Sequence, residues 1–215
     1  MIATMPTAAR RPLTTLSLAC LTAFAVLLPL AAPAQDAPPP TPQQVAEKAQ
    51  VCTACHGENG VPIDTNTPIT WGQQAGYIYL QLRDFKSGAR KSDIMGPVAE
   101  TLERADMMAL AEYFSKKQWP LLGQPPASAD VSDKAARVNN SIGCTGCHQS
   151  QYQGDSTQPR LAGQRREYLE RTMLDFRNGT RGNNPGMSDL MKAASTDDIH
   201  AMAQYLAGMQ LTPGQ

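Results

Sequence analysis

The hydrophobic pattern of the chain changes character once, close to its start. Leu13 to Leu30 is an almost unbroken apolar run, preceded by Arg10 and Arg11 and followed by Ala32-Pro33-Ala34. A basic start, an apolar run and a small-residue stretch in that order form an export signal, with cleavage expected after Ala34. About 18 apolar residues is the lower limit for spanning a bilayer, so an uncleaved N-terminal anchor is the competing reading. Cys20 lies inside the run, which continues well past it to Leu30, and this argues against a lipoprotein cysteine. The polar, proline-rich spacer QDAPPPTPQQ follows.

Beyond the spacer the apolar positions recur at helical spacing. Thr41 can cap and Pro42 can start a helix that runs into Cys52. AGYIYLQLRDFKSG and RREYLERTMLDFRNG each predict a helix ended by glycine, Gly88 or Gly179. Two further helices follow from Met107, Leu110, Ala111 and Phe114, and from Ile199, Met202, Ala203 and Leu206. Ser195 with Asp198 predicts a capping box for the last helix, whereas Glu103 at the equivalent place predicts a weaker start for its counterpart. His200 is expected to be a surface or partly covered residue, and Tyr113 and Tyr205 to be packing residues. No alternating run is long enough to predict a sheet, so the fold class is all-α.

The pattern occurs twice. At an offset of 92 residues, Cys52, Cys55, His56, Met95 and Tyr113 align with Cys144, Cys147, His148, Met187 and Tyr205. WGQQAGYIYLQLRDFKSGAR and AGQRREYLERTMLDFRNGTR align at an offset of 91. This internal duplication predicts two domains, 35–120 and 131–215, with residues 121–130 of the stretch QWPLLGQPPASAD as linker. Domains this small have little core of their own, so each is expected to need a bound group at its centre.

Both copies carry CxxCH, as Cys52-Thr53-Ala54-Cys55-His56 and Cys144-Thr145-Gly146-Cys147-His148. Two thiols at this spacing can each add to a haem vinyl group, with the adjacent histidine presented to the iron from the same side. A thioredoxin-like pair would need neither the histidine nor a second copy. Closed zinc sites would need four ligands each, and after residue 34 the chain holds four cysteines and three histidines. Two covalently bound haem c groups are therefore the expected cofactors. Met95 and Met187 each lie 39 residues after their histidine and become the expected sixth ligands, while Met191 aligns with Ala99 and has no counterpart. After residue 34 there are 17 Lys/Arg against 19 Asp/Glu, a balance without the basic stripe of a nucleic-acid binder.

Tandem CxxCH units behind an export signal, each continuing P…GQ…Y…DF..G.R…M…Y, resemble the cytochrome c4 family of periplasmic di-haem electron carriers. The resemblance implies two class I cytochrome c domains related by a pseudo-twofold axis, with His/Met iron in both. It also implies that the backbone carbonyls of Pro68 and Pro159 accept the N–H of His56 and His148. The implied function is electron transfer towards a terminal oxidase, with a cytochrome bc complex or a dehydrogenase as further redox partners. A di-haem subunit of a dehydrogenase complex is the alternative. Membrane association is expected only through partners or an uncleaved N-terminus. Filled axial positions in both halves point to a carrier and not to an enzyme. PITWGQQ departs from the family's P.LAGQ pattern in the first half. Arg165, Arg166, Arg171, Arg177 and Arg181 predict more positive surroundings, and hence a higher potential, for the C-terminal haem.

Overall fold

Thr41 begins the first helix as the sequence requires: its hydroxyl accepts from the Gln44 N–H, and the Gln44 side chain accepts from the Thr41 N–H. Satisfying both orphan donors fixes the start of α1, Pro42–His56. The computed structural model describes residues 39–211, so the expected export signal, its cleavage site and Cys20 lie outside the described residues. The remaining helices are α2 (Ala75–Lys86), α3 (Met95–Glu100), α4 (Arg104–Ser115), α5 (Ala129–Ile142), α6 (Thr145–His148), α7 (Arg166–Asn178), α8 (Pro185–Ala193) and α9 (Thr196–Gly208). Among the described residues there is no strand, only one isolated bridge between Asp155 and Gln158.

The principal helix pairs stay within each half. α4 packs on α1 and α2, and α2 on α3; in the second half α9 packs on α5 and α7, and α7 on α8. The first core gathers Val45, Ala49, Ile78, Leu82, Leu110 and Phe114. The second gathers Ala135, Val138, Leu169, Met202, Ala203 and Leu206. These are the apolar stripes of the sequence pattern, and the duplication is thus reproduced in packing.

The halves differ where their sequences do. In the first, α1 continues without interruption through Cys52, Cys55 and His56. In the second, Gly143 stands where the first has Val51, adopts a left-handed φ of 80° and closes α5 with its N–H on Asn139. The second CxxCH therefore turns into the separate short helix α6.

The start of α4 corrects the expectation of a weak cap. Glu103 has the extended backbone of an N-cap, and its N–H donates to Asp106 Oδ2 at 3.2 Å. Lys48 of α1 pairs with the same carboxylate. Burial would raise the Asp106 carboxyl, but the Lys48 and Glu103 hydrogen bonds and the charges of Lys48 and Lys86 hold it below the usual carboxylate range. A depressed folded-state pKa contributes stability above the unfolded value of about 3.9, lost as pH falls through the folded value. Asp106→Asn should therefore cost about 1.5–3 kcal/mol at neutral pH, the range for hydrogen bonds to charged groups. Urea unfolding of the two proteins across pH checks it: the gap should close in acid, where wild-type Asp106 is also neutral.

The segment between α4 and α5 is docked and not a free tether. Trp119 is buried beneath the Arg160 guanidinium, 4.3 Å from its ring centroid. Gln124 Nε2 donates to the carbonyls of Gln164 and Ala207 at 2.9 and 3.2 Å, docking the segment on the second half before α5 begins at Ala129.

Candidate functional site

His56 closes α1 and His148 closes α6, and both imidazoles are buried. His56 Nδ1 lies 2.8 Å from the Pro68 carbonyl, and His148 Nδ1 lies 3.0 Å from that of Pro159. A carbonyl can only accept, so Nδ1 carries the proton and Nε2 is left as the free lone pair. Burial lowers the pKa of both rings, His56 and His148 alike, against the opposing pull of these carbonyls. A neutral imidazole with Nδ1 tied back is the form that ligates a metal through Nε2.

The turn after each histidine needs a left-handed backbone. Gly57 has φ 88°, and a side chain there would collide with the backbone of Val61. Gln149 occupies the same place in the second half with φ 67° and ψ 165°, a conformation essentially confined to glycine. Its side chain is exposed, so nothing in its packing offsets the strain. Gln149→Gly should stabilise the protein by about 1–3 kcal/mol with an unchanged spectrum, read from thermal unfolding of the haem-loaded protein.

Met95 opens α3 and Met187 lies in the first turn of α8, and in each the backbone N–H is held by a side-chain oxygen three residues earlier. The Met95 N–H donates to Ser92 Oγ and the Met187 N–H to Asn184 Oδ1, each at 3.1 Å. Ser92 and Asn184 are themselves 92 residues apart, a match the methionine spacing alone did not bring out. Both methionines are partly buried, Met95 against the first core and Met187 against a satellite cluster around Phe176. Met191 and Met107 are buried within clusters, and Met108 is exposed.

One continuous cavity of about 1590 Å³ runs through both halves. Cys55, His56, Pro68 and Met95 line it from one side of the duplication, and Cys144, Cys147, His148, Pro159 and Met187 from the other. Cys52 packs on the first core, where burial pushes its thiol up to about 11; burial also raises Cys144. None of the four cysteines forms a disulfide. Among the described residues no three His, Cys, Asp or Glu side chains converge. A largely apolar chamber lined by Cys55, Cys144 and Cys147, with Cys52 one turn from Cys55 on α1 and one imidazole and one thioether per half, fits a covalently attached porphyrin.

Side chains are exchanged across the pseudo-twofold axis. Arg90 donates to the Tyr168 hydroxyl at 3.2 Å, and its counterpart Arg181 to the Tyr77 hydroxyl at 3.4 Å. Burial favours the neutral phenol in both. Arg90 and Arg181 overcome it at Tyr168, whose pKa falls, while Tyr77 is raised by burial and by Tyr168. Gln81 breaks the symmetry: it accepts from Arg90 and Arg181, each at 2.8 Å, whereas Thr172 stands at its counterpart position.

The arginine cluster lies differently from its sequence reading. Arg165 donates to the Pro62 carbonyl at 2.6 Å and Arg171 to that of Asn66 at 3.0 Å, both in the first half. Arg181 also reaches across, Arg177 donates to Thr196, and Arg166 lies beside Glu170. Their charge is shared between the halves, so it gives no ground for a higher C-terminal potential. His200 is half-exposed with Nε2 3.2 Å from Glu170, and Tyr113 and Tyr205 pack on the cores, as expected.

A helical fold of two halves, each with a CxxCH helix end and a methionine whose N–H is tied to a side-chain oxygen, defines a tandem c-type cytochrome. The Cytochrome c family profile matches residues 132–210. Cytochrome c4 of Azotobacter vinelandii is 30% identical over 180 residues, covering 75% of this chain and 86% of that protein. A thiosulfate dehydrogenase electron acceptor of Stutzerimonas stutzeri is 33% identical over 172 residues, covering 75% and 80%. The crystal structure of reduced cytochrome c4 from Pseudomonas stutzeri superposes with a TM-score of 0.70 at 28% identity, covering 78% of this chain and 98% of that one. The chain belongs to the cytochrome c4 family: an electron-transfer protein of two class I cytochrome c domains with two covalently bound haem c groups.

Proposed function

We propose that Cys52 and Cys55 attach one haem and Cys144 and Cys147 the other, with His56/Met95 and His148/Met187 as axial pairs. Pro68 and Pro159 hold the histidines. The observation that carries this is the duplicated restraint: each histidine Nδ1 is tied to a proline carbonyl, and each methionine N–H to a side-chain oxygen three residues earlier. Bound haem supplies a one-electron couple, and a thioether opposite imidazole raises its potential. The chain's part is to keep both axial positions filled and water out, so that little rearranges as an electron arrives or leaves.

The protein acts as a soluble periplasmic carrier that shuttles electrons towards a terminal oxidase and has no enzymatic activity of its own. Among the described residues no helix is long and apolar enough to cross a membrane. A second reading, electron acceptor of a dehydrogenase, is favoured by the likeness to the thiosulfate dehydrogenase electron acceptor of Stutzerimonas stutzeri. Absorption spectra of the oxidised, dithionite-reduced and carbon monoxide-treated protein test the carrier assignment. Two haems per chain and no carbon monoxide complex are expected; a ligand-accessible iron in either half would overturn it. Turnover with oxidase membranes against turnover with a thiosulfate-oxidising dehydrogenase separates the partners.

A further inference from the structure

The peptides that restrain the two histidines are engaged on their other side as well, and by the opposite half. The Pro68–Ile69 peptide accepts from His56 through the Pro68 carbonyl, while its Ile69 N–H donates to Gln164 Oε1 at 2.8 Å. The Pro159–Arg160 peptide accepts from His148, while its Arg160 N–H donates to Gln73 Oε1 at 2.7 Å. Each glutamine also donates from Nε2 to the carbonyl of the same residue, Gln164 to Ile69 at 3.0 Å and Gln73 to Arg160 at 2.9 Å. Gln73, Gln164 and Ile69 are all buried, Gln73 and Gln164 being only 4% and 3% exposed. Both sets of bonds are thus shielded from competing water.

We infer that each half tunes the axial histidine of the other through a shared peptide: Gln164 is a positioning residue for the N-terminal haem, and Gln73 for the C-terminal haem. An N–H that donates to an amide oxygen polarises its peptide and makes the carbonyl at the far end a stronger acceptor. Such chains strengthen each bond by about 10–30%. A stronger acceptor at Nδ1 makes the imidazole a better donor to iron and favours the oxidised state. Bidentate pairing also fixes the carbonyl's direction and hence the ring plane. Crossed wiring links the potential of each haem to the integrity of the interface.

The inference rests on His56 and His148 as axial ligands. Failure of that reading shows as altered ligation in the unsubstituted protein, whereas failure of the inference leaves ligation intact. The test uses the haem-loaded full chain carrying Gln164→Met or Gln73→Met, with domain-resolved redox titration and proton NMR of the reduced, diamagnetic state. Gln164→Met should raise the N-terminal potential, move the His56 Nδ1–H resonance upfield and speed its exchange, with the C-terminal haem little changed. Gln73→Met should do the converse. Gln164→Glu keeps the acceptor oxygen and volume, so the N-terminal potential should not rise and the His56 Nδ1–H should stay downfield. If a methionine variant fails to load haem, the glutamate variants carry the test. A shift confined to the half that bears the substitution overturns the inference. So do equal shifts in both halves, no shift in either Met variant, or an upfield Nδ1–H with a raised opposite-half potential in the Glu variants.

Discussion

Met187→Ala should remove the methionine-to-iron absorption band of the C-terminal haem and lower its potential by on the order of a few tenths of a volt, within the roughly 0.8 V that axial ligands span. Met95→Ala should do the same to the N-terminal haem. The effect is large because a thioether stabilises the reduced iron, and its loss opens the position to water or an added ligand. Asn184 and Ser92 hold the backbone at each methionine, so truncating the side chain should leave α8 and α3 in place. Met191→Ala is the informative control. Met191 is buried in the cluster with Phe176, Ala194 and Ile199. Its truncation should cost about 2–5 kcal/mol of stability through the cavity it leaves, with the band retained. Loss of the band in Met191→Ala with an unchanged spectrum in Met187→Ala would reverse the assignment.

The helices were legible in the sequence because each rests on local chemistry. Thr41, Gln44 and Pro42 define a start within four residues, Gly179 defines a stop, and the stripes on α4 and α9 repeat at helical period. The methionine pair is proposed for another reason: duplication turns a choice among ten methionines into a matched pair, while the histidines come from CxxCH and Pro68 and Pro159 from the family resemblance. The cap on α4 escaped because Glu103 is a poor N-cap by type. Its satisfaction comes from Asp106 and from Lys48 on another helix, which no local window contains.

What crosses the interface escaped altogether. Gln73 and Gln164 stand out in sequence as part of a repeated GQ, yet a repeat aligns a residue with its counterpart and says nothing about which half it serves. Arg165 and Arg171 illustrate the same gap. Sequence proximity assigns their charge to the C-terminal haem, whereas their guanidinium groups bind carbonyls of the N-terminal half, at Pro62 and Asn66. Long side chains near an interface carry their charge away from their own backbone.

Cys52→Ala and Cys144→Ala should each lower the yield of secreted, haem-loaded protein, but the two proteolysis patterns should differ. Each core is a thin layer around the porphyrin chamber, so losing the covalent attachment weakens the half whose centre that group fills. In Cys52→Ala the N-terminal half opens, and trypsin should cut at Lys116 or Lys117, which follow directly on α4. The linker beyond them remains docked, because the carbonyls of Gln164 and Ala207 that hold Gln124 belong to the intact half. A haem-bearing C-terminal fragment should therefore survive with its linker attached. In Cys144→Ala those carbonyls lose their scaffold, so the linker should be freed together with its support. Cleavage should then spread through the C-terminal half, leaving a haem-bearing N-terminal fragment that ends near Lys116. Mass spectrometry of the haem-stained fragments reads both outcomes. Identical fragments from the two variants, or equal protection of both halves in either, would show that the haems stabilise a single cooperative unit and that the docked linker sets no direction of unfolding.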